Sequence, residues 1–286
     1  MPALTTTGPP ILEAIAFVVL LVWLCLAAGR RIMRWLSVSP DDDALAERAV
    51  TALALGVGAA QFVPFLLGAV GKLTVQTLRL AIGALAVALA ADLIAVVRLA
   101  WTHRRDLHVP SPWSVRLLVG LSPALAVAAL LALTPTVDPD GLGYHLTVPK
   151  RWLEAESLRY LPTYPYSNTP MGVEMLFTVA LAMAGDIAAK ALHFTLGAAG
   201  AFATYLAGKR LAGSFTGALA AVLLLVGPFG VLGLMGWAYL EGIVSFALVA
   251  SALAWIRWYR SRDPGWLRCA ALLSGVGASF KIVAAT

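Results

Sequence analysis

Asp138, Asp140, Tyr144, His145 and Lys150 lie within thirteen residues of one another, in the only long polar stretch between hydrophobic runs. Such a set can do acid–base and anion chemistry. A carboxylate can accept a proton, a phenol and an imidazole can orient a ligand, and an ammonium can offset a developing negative charge. The stretch runs from Asp138 to Trp152 and continues to Pro170. Its opening Asp138-Pro-Asp-Gly is a turn signal, and Leu142, Leu146, Pro149 and Leu153 then recur at near-helical spacing. A turn leading into an amphipathic helix on a membrane surface is expected. Asp140 is placed either to cap that helix or to act as a base, and the two roles are compatible because a cap also fixes a carboxylate's direction.

The elements that hold this stretch are membrane-like. Of 286 residues, 60% are hydrophobic and 13% are charged, with a mean hydropathy of +0.84. A water-soluble domain with so little polar surface could not cover itself, whereas a bilayer removes the need. The expected fold is therefore all-α, a polytopic transmembrane helical bundle with one long external loop that contains a juxtamembrane amphipathic helix. The net charge of +6 does not point to nucleic acid, because Lys and Arg gather in short clusters between apolar runs. Cys25 and Cys269 both fall inside such runs and read as core residues.

The first run, Ile11 to Ala28, is followed by Arg30, Arg31 and Arg34. A signal peptide carries its positive charge on the other side, so this run reads as a span. Asp41, Asp42 and Asp43 suit a helix N-terminus. Further runs cover Ala49–Gly71, Thr77–Ala100 and Trp113–Thr134, with Arg98, Arg104, Arg105 and Arg116 between the last two. If the Arg30–Arg48 and Arg98–Arg116 flanks are cytoplasmic, Asp138 emerges on the external side. Downstream come Met171–Gly185, Ile187–Gly208, Gly213–Gly236, Trp237–Trp258 and Trp266–Thr286. Met171–Gly185 is too short for a comfortable span of about 30 Å and reads as re-entrant or interfacial. This topology puts fourteen of the twenty-one Lys and Arg residues on cytoplasmic flanks. Three regions follow: residues 1–134, N-terminal helices; 135–170, the loop; and 171–286, further helices. Gly197, Gly200, Gly213 and Gly217 would let helices approach closely.

Counting depth along these runs brings distant charges to one level. Glu241 sits near the external start of its run, and Lys281 lies most of the way across the last one. Ionisable groups inside a membrane are functional candidates by default. Asp138, Asp140, Glu241 and Lys281 thus reach the external side from three parts of the chain. Asp92 falls nearer the cytoplasm and does not join them, and His193 reads as packed.

Asp140-Gly-Leu-Gly-Tyr144-His-Leu, with Pro149-Lys150, Ser167, Pro170 and Glu174, resembles the first external loop of GT-C superfamily glycosyltransferases. The nearest group is the bacterial branch akin to protein mannosyltransferases and the aminoarabinose transferase of lipid A. The resemblance covers about residues 135–286. It implies that Asp140, four positions before Tyr144, is a catalytic base. Ala238-Tyr-Leu-Glu241 resembles the family's second acidic site, and Gly275-Val-Gly-Ala-Ser-Phe-Lys281 its Gly-rich helix with a lysine. Gly141 stands where the family's usual acidic pair has its second member, a role that Asp138 would have to take. The chain ends inside an apolar run where family members continue, so a fragment or shortened relative is implied.

The resemblance and the depth argument together predict sugar transfer from a polyprenyl-phosphate donor to a lipid or protein acceptor, at the external face of a bacterial inner or plasma membrane. Asp140, Asp138 and Glu241 are the catalytic candidates, and Tyr144, His145, Lys150 and Lys281 would bind substrate. No metal ligands are assigned, and a divalent ion is left open. The competing class is a non-enzymatic membrane protein, a transporter or an assembly subunit. Transporters commonly place ionisable groups at the midplane between repeats, and no repeat is evident here.

Overall fold

The computed structural model describes residues 11–40, 44–103, 112–227 and 232–281, apart from the side chains of Trp113 and Leu118. The Asp41–Asp43 cap and the Arg104–Arg105 cluster lie outside these residues. No strand occurs among the described residues. The helices are α1 (Ile11–Trp35), α2 (Leu45–Ala60), α3 (Phe62–Ala69), α4 (Val75–Ala88), α5 (Ala90–Thr102), α6 (Pro112–Ala132), α7 (Thr147–Glu154), α8 (Gly172–Ala212), α9 (Ser214–Val226), α10 (Leu232–Met235), α11 (Glu241–Ser261) and α12 (Pro264–Phe280). Among the described residues, five stretches are long and apolar enough to cross a membrane: Ile11–Trp35, Leu45–Ala69, Ser114–Ala132, Gly172–Ala212 and Glu241–Ser261. Many large apolar side chains face outward, among them Leu12, Val19, Leu80, Val87 and Leu130. A surface of that kind is compatible with an integral membrane protein.

Some runs that read as continuous in the sequence are broken. Thr77–Ala100 becomes α4 and α5, bent by 65°. Gly213–Gly236 becomes α9 and the short α10. Helix α8 is different: its helical backbone is interrupted at Ala184 and at Gly185, where φ is 75°. That break coincides with the boundary between Met171–Gly185 and Ile187–Gly208. Only glycine adopts such a φ without steric cost.

Helices α1 and α2 cross at the closest approach. A Cβ on Gly29 would overlap the Ala52 carbonyl, and one on Gly56 would overlap the Cys25 carbonyl. Small residues at a helix contact let backbones meet, which is what association in lipid depends on. Gly217 in α9 packs likewise on the Tyr205 carbonyl of α8, and Gly200 lies against Phe246 of α11. Gly213 is different. Nothing approaches its Cβ position, and its φ of 93° ends α8, so it serves the turn and not the packing. Gly56→Ala should lower stability by about 1–3 kcal/mol, read as a fall in the unfolding midpoint in detergent. Gly120→Ala in α6, where nothing lies within 4 Å, should lack that penalty.

Charged residues sort to two ends of the bundle. At one end Asp92, buried, takes Arg31 at 2.7 Å and Arg34 at 2.5 Å, with Arg30 at 4.0 Å. The same end holds Glu47, which pairs with Arg210 at 2.8 Å and Arg257 at 3.2 Å. Asp263 accepts from the Ser39 and Gly265 amides at 2.9 and 2.8 Å, so it starts α12 and ties it to the segment after α1. Partial burial pushes this carboxyl up, but those amides and the Arg268 guanidinium outweigh it and hold it below the usual carboxylate range. A depressed folded-state value means that the stabilisation is present at neutral pH and is lost as pH falls through that value. Asp263→Ala should cost about 1 kcal/mol at neutral pH, and the difference from wild type should shrink in acid, by unfolding measured at both pH values.

Cys25 and Cys269 are free and buried, as read from their apolar surroundings.

Candidate functional site

At the opposite end, residues 133–171 are fastened at several points. Lys190 in α8, 1% exposed, donates to the Thr134 carbonyl at 2.8 Å and to the Pro135 carbonyl at 3.3 Å. Asp186 accepts from the Thr136 amide at 2.7 Å. Farther on, the Leu158 amide donates to the Gly68 carbonyl at 3.0 Å and the Leu73 amide to the Glu156 carbonyl at 2.9 Å. Val148 and Trp152 of α7 are buried with Leu73, Leu78, Met171 and Met175, in a small core of their own.

Asp138 and Asp140 divide the roles that the sequence left joined. Asp138 is buried, and its Oδ2 accepts from the Gly141 amide at 2.7 Å. Its carboxylate lies so close to Gly141 that a Cβ there would strike it. A larger residue at 141 would force the Asp138 carboxylate to move. Asp140 makes no side-chain cap bond and is exposed. The capping reading is thus corrected: Asp138 closes the turn, and Asp140 is left open to a ligand.

The amphipathic helix is also revised. Gly141–His145 forms one turn of π-helix before α7 begins at Thr147. Such turns are rare and mark functional sites more often than chance. The wider turn puts Leu142 outward at 55% exposure, off the apolar face that Leu146, Pro149 and Leu153 otherwise share.

His145 is buried, and its Nδ1 lies 2.6 Å from Glu174 Oε1 in the first turn of α8. Among the described residues, Glu174 Oε2 has no hydrogen-bond partner, and neither does Asp138 Oδ1. The His145 ring lies 4.0 Å from Tyr144 and 5.8 Å from Tyr239, centroid to centroid. Tyr144 in turn packs on the exposed Tyr166 at 4.6 Å. Burial, together with the charges of Asp140, Glu174 and Glu241, pushes the Tyr144 phenol up. Tyr239 moves the same way, through burial and through Asp140, Asp138 and Glu241. Both phenols therefore keep their protons at physiological pH and can donate to an anion.

Glu241, at the start of α11, pairs with Lys281 at the end of α12, Oε1 to Nζ 3.2 Å. The Leu240 amide donates to Glu241 Oε2 at 3.2 Å. Both side chains are accessible, Lys281 at 43% and Glu241 at 36%. Asp140 and Glu241 both act on Tyr144 and Tyr239. Asp140, Tyr144, His145, Glu241 and Lys281 are thus brought into one neighbourhood. Lys150 is exposed on α7, and its side chain forms no hydrogen bond or ion pair among the described residues, so no such bond joins it to the group. No group of three or more His, Cys, Asp or Glu among the described residues is placed to hold a metal ion.

Glu174 entered the sequence reading only as part of the family resemblance, with no role of its own, and His193 as a packed residue. Both are hydrogen-bonded at this end. His193 Nδ1 lies 2.9 Å from the Trp237 carbonyl, and its Nε2 accepts from the Gly242 amide at 3.0 Å. A polar residue alone in an apolar run is the signal that could have found them, because burying one without a partner costs several kcal/mol (roughly 2–7).

No family model, curated protein or solved structure matches this chain.

Proposed function

We propose that this chain is a membrane glycosyltransferase that moves a sugar from a polyprenyl-phosphate donor to a lipid or protein acceptor on the non-cytoplasmic side. The observation that carries the reading is the Glu241–Lys281 ion pair together with the charges of Asp140 and Glu241, which act on the same two phenols, Tyr144 and Tyr239, from parts of the chain a hundred residues and more apart. Their exposure beside buried, hydrogen-bonded supports suits a reacting group on a rigid frame.

In the proposed reaction an acceptor hydroxyl or amine attacks the anomeric carbon as the bond from that carbon to the phosphate oxygen breaks. Asp140 takes the acceptor's proton. The electron pair of the broken bond leaves on the lipid phosphate, where Lys281 and the protonated Tyr144 and Tyr239 stand to offset the charge. Glu241 holds Lys281 in position until the phosphate arrives. On this reading the segment around α7 is the external loop, and the first part of α8, tied to that loop at Glu174 and just after its end at Asp186, lies along the membrane surface.

The test is transfer by the purified full chain in proteoliposomes, supplied with polyprenyl-phosphate donors carrying different sugars and with membrane extract as the source of acceptor. Release of free polyprenyl phosphate coupled to a labelled product is expected. Absence of release with every donor, from protein shown to be folded, would leave the non-enzymatic reading in its place.

A further inference from the structure

Helix α11 begins without a cap of its own. Its N-cap residue is Leu240, whose side chain cannot accept a hydrogen bond, so the first amides of the helix need acceptors from elsewhere. His193, fully buried on α8, supplies one across the helix interface: its Nε2 accepts from the Gly242 amide at 3.0 Å. A backbone amide only donates, so Nε2 must carry the lone pair. On the other side of the ring, Nδ1 faces the Trp237 carbonyl at 2.9 Å, and a carbonyl only accepts, so Nδ1 must carry the proton. Both bonds together admit one form of the ring, the neutral Nδ1–H tautomer.

The ring thereby bridges the two ends of the turn from Trp237 to Gly242, and Glu241 is inside that turn. The approach is close. A Cβ on Gly242 would come within 2.9 Å of Nε2 and 3.1 Å of the Gly197 Cα, so the helix start can sit on the imidazole only because residue 242 is glycine. The charged and titratable groups that act on His193 are Glu241, His145 and Asp138, which come from α11, the π-turn and the segment before it. Three of the site's candidates therefore act electrostatically on a residue whose own hydrogen bonds go to backbone groups of the turn.

We propose that His193 is the positioning residue of this site: through its two backbone hydrogen bonds it sets where the Glu241 carboxylate stands, and with it the Lys281 ammonium. This rests on the reading of Glu241 and Lys281 as part of a transfer site. Neither bond requires a charge, so a side chain with one donor and one acceptor at similar reach should replace it. Glutamine has both.

The experiment compares His193→Leu and His193→Gln in the full chain, reading sugar transfer and amide hydrogen exchange at Gly242. His193→Leu should lower kcat on the order of tenfold to a hundredfold, as a small misplacement of reacting groups does, with KM little changed, and should speed Gly242 exchange. His193→Gln should restore most of both. Equal behaviour of the two variants would show that the ring only fills space and would overturn the proposal. A second measurement needs no variant: the 15N shifts of labelled wild-type protein in micelles should report neutral His193 with its proton on Nδ1, and a charged ring or the other tautomer would overturn it. If the wild type transfers no sugar at all, the glycosyltransferase reading fails, and the exchange and 15N results still decide whether His193 holds the turn.

Discussion

Asp140→Asn is expected to abolish most sugar transfer, by about 10²–10⁴-fold, while donor binding and the unfolding midpoint stay close to wild type. The asymmetry follows from what the side chain touches. Asp140 is exposed and makes no cap bond, so the fold does not depend on its carboxylate. Its neighbour Asp138 carries the structural bond to the Gly141 amide instead. Asparagine keeps size and polarity and loses only the ability to take a proton. The measurement is kcat in proteoliposomes beside donor binding to the same preparation. Asp138→Asn should show the opposite balance: the amide can still accept from Gly141, so some activity survives, but the buried turn is weakened and the midpoint falls. Equal transfer by Asp140→Asn and wild type would remove Asp140 from the chemistry.

The largest stability loss is expected at the other end of the bundle. Glu47→Leu should destabilise the protein by about 3–5 kcal/mol, the cost of leaving a buried charge without its counter-ion. Glu47 is 6% exposed and receives Arg210 through two bonds of 2.9 Å, with the Arg257 guanidinium at 3.2 Å. Arg257 is itself 6% exposed and stacked over Trp266 at 5.3 Å, so it cannot turn to solvent when Glu47 is lost. Three helices, α2, α8 and α11, would lose their shared tie. The contrasting case is Arg151–Glu154, whose side chains are 53% and 38% exposed. Glu154→Ala there should change stability by no more than about 0.5 kcal/mol, because water already screens that pair. Unfolding midpoints of the two variants in one detergent give the comparison directly.

What could be read from the sequence was depth along a helix. Glu241 and Lys281 lie 40 residues apart, on runs whose far ends are marked by arginines, and counting residues from those ends was enough to bring them to one level. Asp92 was separated from them by the same count, and it does sit with Arg30, Arg31 and Arg34. Partners fixed by the route of the backbone between helices were not readable. The bond from His145 to Glu174 depends on the π-turn, and periodicity predicted an ordinary helix there. His193 meets Trp237 and Gly242 through a contact between α8 and α11 that no spacing rule specifies. The bend between α4 and α5 was missed for a related reason: Ala, Leu and Val continue through Leu89 without glycine or proline to mark it.

The interruption at Gly185 decides more than a change of direction. Glu174 touches His145, and His193, nineteen residues farther along α8, accepts from the Gly242 amide at the start of α11. On an unbroken rod those two positions would stand about 28 Å apart in height, nearly the full thickness of a bilayer's oily layer. The break at Ala184 and Gly185 means that they do not share one straight rod. One residue without a side chain thus lets a single helix hold both the π-turn, through Glu174, and the start of α11, through His193.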